Sequence, residues 1–485
     1  MKEWLKKVPY TDLVNYFLRI GWLHMLLIMG LYIFYKSLFT QRLPVTLVYS
    51  TVPLLMVAGL IIVRFSKYSF YTLFSLQFLL IVSGMFVDIK TGVITLIFTL
   101  VSLGLLIPWA TYERVDWRPV KNGMLYIYLI WGIFCLIEIL NMNNVQDAWN
   151  IAITHYWLYP IACAILVPLS VKNTKGIYIL LFIWSLFVLI AVAKGYWQKN
   201  YGFNYRELYF LYVLGGYKTH LIWSGIRYFS CFSDAGNFGV HMAMAITVFG
   251  ISSFFAKNIW IKPYFILITL AAIYGMGISG TRSAIVLPIG GMLLYVLLSH
   301  NIRAVGISLA ILASLVLFFR FTTIGESNEY IRKMRSAFRP NQDASFMLRV
   351  ENREKMKNLL SYKPIGYGLG LSKGERFDPK ELMPYPPDSW LVSVWIETGT
   401  LGLSLYCVLH ALLFAWCSWI LMFRIRNKHL RGLLSAWLCM NAGFFVAAYS
   451  NDVMQYPNSI VVYTGFALCF AGYYMENKKG QQLSS

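Results

Sequence analysis

The sequence of 485 residues contains few charged side chains and no cysteine pairing motif. Asp, Glu, Lys and Arg make up 13% of the chain, whereas soluble domains carry roughly 25%. This shortage excludes a soluble enzyme, a disordered tail and a coiled coil. All seven cysteines except Cys231 lie in apolar runs, and no CxxC pair occurs. Neither a zinc site nor a disulfide framework is therefore indicated, and no metal or other cofactor is predicted.

Long apolar runs dominate what is present. Hydrophobic residues make up 58% of the chain, and the mean hydropathy is +0.59. Runs of about 20 residues without in–out alternation predict membrane-spanning helices rather than a β-barrel. We therefore predict an all-α polytopic integral membrane protein with about 12–14 transmembrane helices. The runs lie near 22–35, 44–63, 69–87, 92–110, 122–140, 151–169, 176–193, 236–255, 259–278, 283–299, 303–321, 390–422, 432–450 and 457–475.

The distribution of basic residues predicts the orientation of the chain. With a cytoplasmic N-terminus, the short loops of the opposite side hold only Lys36, Arg42, Lys90 and Arg282. Most other loop Lys and Arg residues then fall on the cytoplasmic side, as is usual for membrane proteins. We therefore predict that both termini are cytoplasmic in a bacterial inner membrane. The net charge of +21 follows from the same bias and does not indicate a nucleic-acid partner.

Two long segments, 194–235 and 322–389, then face the periplasm. We predict an N-terminal transmembrane bundle over 1–321 that includes the first of these segments. The second segment is predicted to be a periplasmic loop with short helices that caps the active site. The remaining 390–485 are predicted to form C-terminal transmembrane helices and a cytoplasmic tail. No internal repeat and no inverted pair of broken helices is visible in the sequence, which disfavours a secondary transporter.

Two polar segments at predicted span ends could bind an anion. In the first, Ser279–Ser283, Ser279 or Thr281 can cap the next helix, whose N-terminus and Arg282 would form a phosphate site. The alternative is an arginine that snorkels to the membrane interface.

The second polar segment runs from Arg227 to His241. Asp234 is a suitable N-cap for the span that follows, and Asn237 lies in its first turn. Arg227 is a second candidate anion ligand. His241 lies about two turns inside the span, and we interpret it as a hydrogen-bonded core residue rather than a catalyst.

The 322–389 segment contains further basic residues. Arg349, Arg353 and Lys357 are spaced by four and would share one face of a short helix near 344–360. The nearby acidic residues Glu351 and Glu354 leave open an ordinary solvated face.

Glycines, prolines and carboxylates mark the return to the membrane. The glycines of Pro364–Gly370 are not spaced as a nucleotide-binding loop, so a tight turn is predicted. Asp388 or Ser389 can cap the next span, and Asp388 could instead be a general base. Glu397 lies about 13 Å deeper by helix rise, so it needs a partner or a proton there.

In this order, the motifs resemble those of the O-antigen ligase / O-antigen polymerase superfamily, which also contains bacterial O-linked oligosaccharyltransferases. The resemblance extends over about 220–410. The features that carry it are the Arg227–Asn237 entry into a span, the Ser279–Ser283 turn, the Pro364–Gly370 turn and the Glu397–Gly402 element. One departure is that many relatives have His-Asn where this chain has Asp388-Ser389.

The resemblance implies a metal-independent glycosyltransferase. The donor would be a glycan on undecaprenyl pyrophosphate, and transfer would invert the sugar configuration. Arg227 and Arg282 would be catalytic, and the role of the missing His would pass to Asp388 or to another group. The residues expected to bind the pyrophosphate or glycan are Arg227, Arg282, Arg349, Arg353, Asn237, Ser279 and Thr281, with Asp234 and Glu397 in supporting roles.

Several activities stay open at this stage. The acceptor could be lipid A–core (a ligase, which we favour), another glycan (a polymerase) or an exported protein (an oligosaccharyltransferase). Membrane lipids would surround the spans. Outside this superfamily, the alternatives are a solute or lipid transporter and a sensor that binds a partner through 322–389.

Overall fold

The computed structural model describes residues 32, 66–84, 91–112, 115–222, 225–299, 302–336, 338, 344–372, 384–385, 387 and 389–484. Two of the sequence predictions concern residues outside this part of the chain. Of the spans predicted near 22–35 and 44–63, only residue 32 is described. Asp388 lies outside the described residues. Within the described residues the fold is helical, with a single two-stranded antiparallel hairpin of two-residue strands. The predicted all-α class is therefore confirmed.

From residue 66 onward, the first half of the described chain contains nine α-helices and the hairpin. They are α1 Ser69–Gly84, α2 Thr91–Gly104, α3 Leu106–Tyr112, α4 Gly123–Ile137, α5 Gln146–Ile153, α6 Tyr159–Ser170, α7 Thr174–Tyr201, α8 Tyr205–Tyr212, α9 Tyr217–His220, β1 Leu221–Ile222 and β2 Gly225–Ile226.

The second half of the described chain adds nine helices. They are α10 Ala235–Phe255, α11 Ile261–Ser279, α12 Val286–Leu298, α13 Ile302–Phe321, α14 Glu329–Ser336, α15 Ala344–Leu360, α16 Trp390–Trp419, α17 Lys428–Ala448 and α18 Asn458–Ser484. A short 3-10 helix, Arg282–Ile285, precedes α12, and two π-helical stretches, Thr154–Leu158 and Ile420–Arg424, extend neighbouring helices.

Eight helical segments of the described chain are long and apolar enough to cross a membrane. This supports a multi-pass membrane protein, as the sequence predicts, and each of these segments coincides with a predicted run. The segments are Thr91–Thr111, Gly123–Leu140, Gln146–Ser170, Thr174–Tyr201, Ala235–Phe255, Ile261–Ser279, Trp390–Arg424 and Lys428–Ala448.

The described residues divide between two compact units, the first within 1–69 and 100–116 and the second within 70–99 and 117–485. In the second unit α10 packs against α11 and α17, and α12 packs against α17. Glycines permit this close approach, because a Cβ on Gly443 would stand 2.0 Å from the Leu287 carbonyl oxygen. Small residues at such crossings allow membrane helices to associate closely through their backbones.

The helix α16 is broken at Gly399, which has φ 66° and ψ −168°. The Pro364–Gly370 turn lies against the break. The amides of Tyr367 and Gly368 donate to the carbonyls of Ile396 and Glu397, both at 2.9 Å. Gly366, Gly368 and Gly370 all have positive φ, so the predicted tight turn is confirmed. The turn satisfies backbone groups that the broken helix leaves without an intrahelical partner.

Glu397 lies at this break, 3% exposed. Its carboxylate accepts a hydrogen bond from the Tyr156 hydroxyl at 2.9 Å and a second one from the Ser372 hydroxyl. The sequence requires that this buried acid have a partner, and the structure supplies two hydroxyl donors. Glu397 thus joins α16, the Thr154–Leu158 stretch and the segment after the glycine turn.

Candidate active site

The Ser279–Ser283 segment is a sharp turn between α11 and the 3-10 helix. Gly280 ends α11 with a left-handed φ of 61°, and its amide donates to the Gly277 carbonyl. The Ser279 hydroxyl donates to the Met276 carbonyl and accepts from the Thr281 amide. Neither Ser279 nor Thr281 caps the following helix, so that prediction was wrong. The Thr281 hydroxyl is used elsewhere, because it donates to the Ala235 carbonyl at 2.8 Å.

Arg227 reaches this turn from the β1–β2 hairpin. Its Nη2 donates to Thr281 Oγ1 at 3.1 Å, and its Nη1 donates to the Thr219 carbonyl at 3.3 Å. Burial lowers the pKa of Arg227, the Asp234 carboxylate raises it, and the positive charges of Arg282 and Arg349 lower it further. Arginine stays protonated in proteins. The positive charges of Arg282 and Arg349 therefore act on a charged Arg227 guanidinium.

Arg349 and Arg353 lie on α15, as predicted, and face the end of α17. Arg349 Nη1 donates to the Ser450 carbonyl at 2.8 Å, and Arg353 Nη2 donates to the Tyr449 carbonyl at 2.7 Å. The Arg353 guanidinium also lies 4.4 Å from the centre of the Tyr449 ring. Cations at a helix C-terminus are favourable, so both arginines hold α15 against α17. Lys357 is exposed.

The connection between α17 and α18, residues 449–457, is part of the candidate site. The sequence motifs did not predict it. The Asn451 carbonyl accepts from the Trp390 amide at 3.1 Å, and the Asn451 side chain donates to Ser283 Oγ. With the Arg349 bond to Ser450, this connection joins α15, the start of α16 and the turn that carries Arg282. The only sequence signal is a short polar stretch, Ser450–Asp452, between two apolar runs.

A polar network supports the site from the α10 side. The Asp234 carboxylate accepts from the Asn237 amide at 2.8 Å, which confirms the predicted N-cap. The Asn237 side chain, 1% exposed, donates to Asp234 and to Gln455, and accepts from Asn458 at 3.2 Å. Gln455 in turn donates to the Asp452 carboxylate at 3.2 Å. Asn237 is therefore held by protein groups on three sides, and its role as a substrate ligand stays a prediction.

His241 lies about two turns into α10, beyond this network, and is fully buried. Trp184 Nε1 donates to His241 Nε2 at 2.8 Å, and His241 Nδ1 is 2.8 Å from the Asn458 side-chain oxygen. An indole N–H can only donate, so Nε2 carries no proton and Nδ1–H donates to Asn458. His241 is a neutral core residue, as the sequence predicts.

At the start of α16, Ser389 is the helix cap, because its hydroxyl accepts from the Val392 amide at 3.2 Å. Asp388 precedes it outside the described residues, so its role as a base stays a prediction. In the described part of the chain, Asp234 and Asp452 are the aspartates bonded into the polar network beside the arginines. Sequence reasoning did not single out Asp452.

The Arg227–Thr281 bond gives a test of how the site is positioned. In Thr281→Val the Arg227 guanidinium loses its 3.1 Å acceptor, and the Ala235 carbonyl loses a donor. We expect the catalytic rate to fall at least about ten-fold, since a hydrogen bond to a charged group contributes roughly 1.5–3 kcal/mol. Thr281→Ser keeps the hydroxyl and should retain most of the rate. Equal rates in the valine and serine variants would show that this bond does not position Arg227.

Residues 266–407 match the family model described as O-antigen ligase. The match includes the Gly280 turn, α15 and the glycine turn against the broken helix. Comparison with curated proteins gave no match. The match supports the superfamily to which the sequence motifs point, whose members are glycosyltransferase-like enzymes.

Proposed function

We propose that this chain, which carries an O-antigen ligase domain, is a metal-independent glycosyltransferase of the bacterial inner membrane. It transfers a glycan from undecaprenyl pyrophosphate to an acceptor hydroxyl at the periplasmic face, and lipid A–core is the favoured acceptor. The observation that carries the proposal is that Arg227 is bonded to the turn that contains Arg282, while Arg349 binds the connection that is itself bonded to this turn.

The charge of this group suits a pyrophosphate. In this partly buried site the positive charges of Arg282 and Arg349 act on Arg227, and the Asp234 carboxylate opposes them. A diphosphate offers several oxygens to planar guanidinium groups, which bind phosphates through paired hydrogen bonds. The arginines can therefore supply the positive charge that a leaving pyrophosphate needs.

The chemistry follows from that arrangement. The bond between the sugar C1 and the pyrophosphate oxygen breaks, and its electron pair goes to that oxygen. The acceptor oxygen attacks C1 from the opposite face, which inverts its configuration, and a base removes the acceptor proton. Fixed positive charges that face the leaving oxygen stabilise the transition state more than the ground state. Asp388 is the base that we propose, and Arg353, Ser279 and Thr281 complete the donor site.

A deletion strain separates this activity from its relatives. Mass spectrometry of lipid-linked intermediates should show full-length glycan accumulated on undecaprenyl pyrophosphate when the gene is removed. A single unpolymerised repeat, on the carrier or on core, would indicate a repeat-unit polymerase instead. Full-length carrier-linked glycan with intact lipopolysaccharide and unmodified exported proteins would indicate a protein oligosaccharyltransferase. An unchanged pool would favour a transporter or a sensor.

A further inference from the structure

His220, the last residue of α9, closes a cycle of hydrogen bonds that holds Arg227. Its Nε2 accepts from the Ala235 amide at 3.2 Å. The Ala235 carbonyl accepts from the Thr281 hydroxyl, which in turn accepts from the Arg227 guanidinium. The Arg227 amide donates back to the His220 carbonyl at 2.9 Å. The imidazole thereby joins the first residue of α10 to the hairpin that carries Arg227.

The hydrogen bonds fix the protonation state of the His220 ring. A backbone amide can only donate, so Nε2, which accepts from Ala235, carries no proton. Nδ1 is 2.9 Å from both the Gly216 carbonyl oxygen and the Thr219 hydroxyl oxygen. A carbonyl oxygen can only accept, so the single ring proton lies on Nδ1. His220 is therefore neutral, and the neutral form is the one that holds Ala235.

The surroundings of His220 oppose its protonation. The residue is 2% exposed, and its ring packs against the rings of Phe210 on α8 and of Phe229. It also lies at the N-terminus of α10, where the helix dipole disfavours a positive charge. A proton on Nε2 would point one donor at another, the Ala235 amide. Protonation of His220 therefore breaks its bond to α10.

Two charged groups act on the His220 ring, Arg227 on the hairpin and Asp234 before α10. The pKa of His220 lies below its ordinary value of 6.5, chiefly because the ring is buried. The bond to the Gly216 carbonyl raises the pKa, the Arg227 charge lowers it, and the Asp234 charge raises it. Burial has the largest effect, so His220 stays neutral near pH 7 and gains a proton only in acid.

We propose that His220 is a positioning residue for glycan transfer, which holds Arg227 while neutral and releases it when a proton reaches Nε2. This inference rests on the proposed function, in which Arg227 faces the leaving pyrophosphate. Loss of the bond to Ala235 opens the cycle, so the Arg227 guanidinium keeps its charge but loses its fixed place. Fixed charges stabilise the transition state without having to reorganise. Protonation should therefore lower kcat more than it raises KM.

The pH dependence of glycan transfer by the purified full-length protein, added to membranes of the deletion strain, tests this inference. The neutral form is the active one, so the unmodified protein should lose activity as the pH falls through the lowered pKa of His220. His220→Gln offers an oxygen to the Ala235 amide and does not titrate in this range. It should keep most of the rate at neutral pH and should not show the loss in acid.

Two further variants separate positioning from a general effect of substitution. His220→Leu leaves the buried Ala235 amide without an acceptor, so kcat should fall about ten-fold or more at every pH. His429→Gln replaces a histidine at the start of α17 and should keep the pH profile of the unmodified protein. If His220→Leu does not fold, His220→Asn takes its place, because its shorter side chain can replace Nδ1 but not Nε2.

The outcomes distinguish this inference from the proposed function. If His220→Leu transfers glycan at the rate of the unmodified protein, His220 does not position Arg227. If the unmodified protein shows no loss in acid, or if His220→Gln keeps that loss, protonation of His220 does not control Arg227 and the inference is overturned. If the unmodified protein transfers no glycan at any pH, the proposed function is refuted, and the inference with it.

Discussion

Replacing Arg282 with alanine is expected to reduce glycan transfer by at least about a hundred-fold, the effect of losing one charge-stabilising donor in a water-poor site. Arg282 lies two residues after the left-handed Gly280, and its charge lowers the pKa of Arg227. Its guanidinium would meet the leaving pyrophosphate. Arg282→Lys keeps the charge but loses the planar fork, so its activity should be intermediate. Surface glycan measured in a complemented deletion strain gives the readout.

The control for this experiment is Arg303→Ala. Arg303 is an exposed cation at the start of α13, and its loss should leave transfer unchanged. Immunoblots of membrane fractions establish that each variant is present at the normal level. Normal glycan yield from Arg282→Ala at a normal protein level would remove the basis of the proposed mechanism.

Replacing Gly399 with alanine is expected to prevent correct folding. The backbone at Gly399 has φ 66° and ψ −168°, a conformation that is essentially restricted to glycine. A Cβ there would also stand 2.1 Å from the Pro364 carbonyl oxygen and 2.5 Å from the Gly366 amide nitrogen. The glycine turn would be pushed off the broken helix. We expect a loss of more than about 4 kcal/mol, in the range that marks severe substitutions.

Gly306→Ala is the matched control for Gly399→Ala. Gly306 lies within α13, and no heavy atom comes within 4 Å of a Cβ placed there. Alanine is favoured over glycine inside helices by up to about 1 kcal/mol, so the thermal unfolding midpoint should stay unchanged or rise. The same midpoint in Gly399→Ala as in the unmodified protein would show that the turn does not need this break.

Most of the helical framework could be predicted from apolar runs, because a span must be long and nearly free of charge. The run near 236–255, for instance, is α10, and Asp234 caps it as its side chain predicts. The sequence also shows that the 390–422 run is too long for one straight crossing. It does not show that the helix breaks at Gly399, because the break depends on a turn some thirty residues earlier that fills it.

The site was predicted only in part, because its members come from distant segments. Arg227 and Arg282 stood out as charges at span ends, where charge is costly and needs a reason. His220 and Asn451 have ordinary local sequences, and only packing places them beside Ala235 and Ser283. The wrong prediction of a cap at Thr281 has the same origin. A distant carbonyl and a distant guanidinium compete for its hydroxyl, and local sequence cannot show them.

The most direct test of the central claim uses membranes of the deletion strain, which hold the accumulated donor and the natural acceptors. Purified protein is added in the presence of a metal chelator, and the lipid products are followed by mass spectrometry. The proposed function predicts that undecaprenyl pyrophosphate is released in step with transfer of glycan to an acceptor, and that Arg282→Ala releases none. A carrier-linked glycan that stays intact in the presence of the folded, unmodified protein would contradict it.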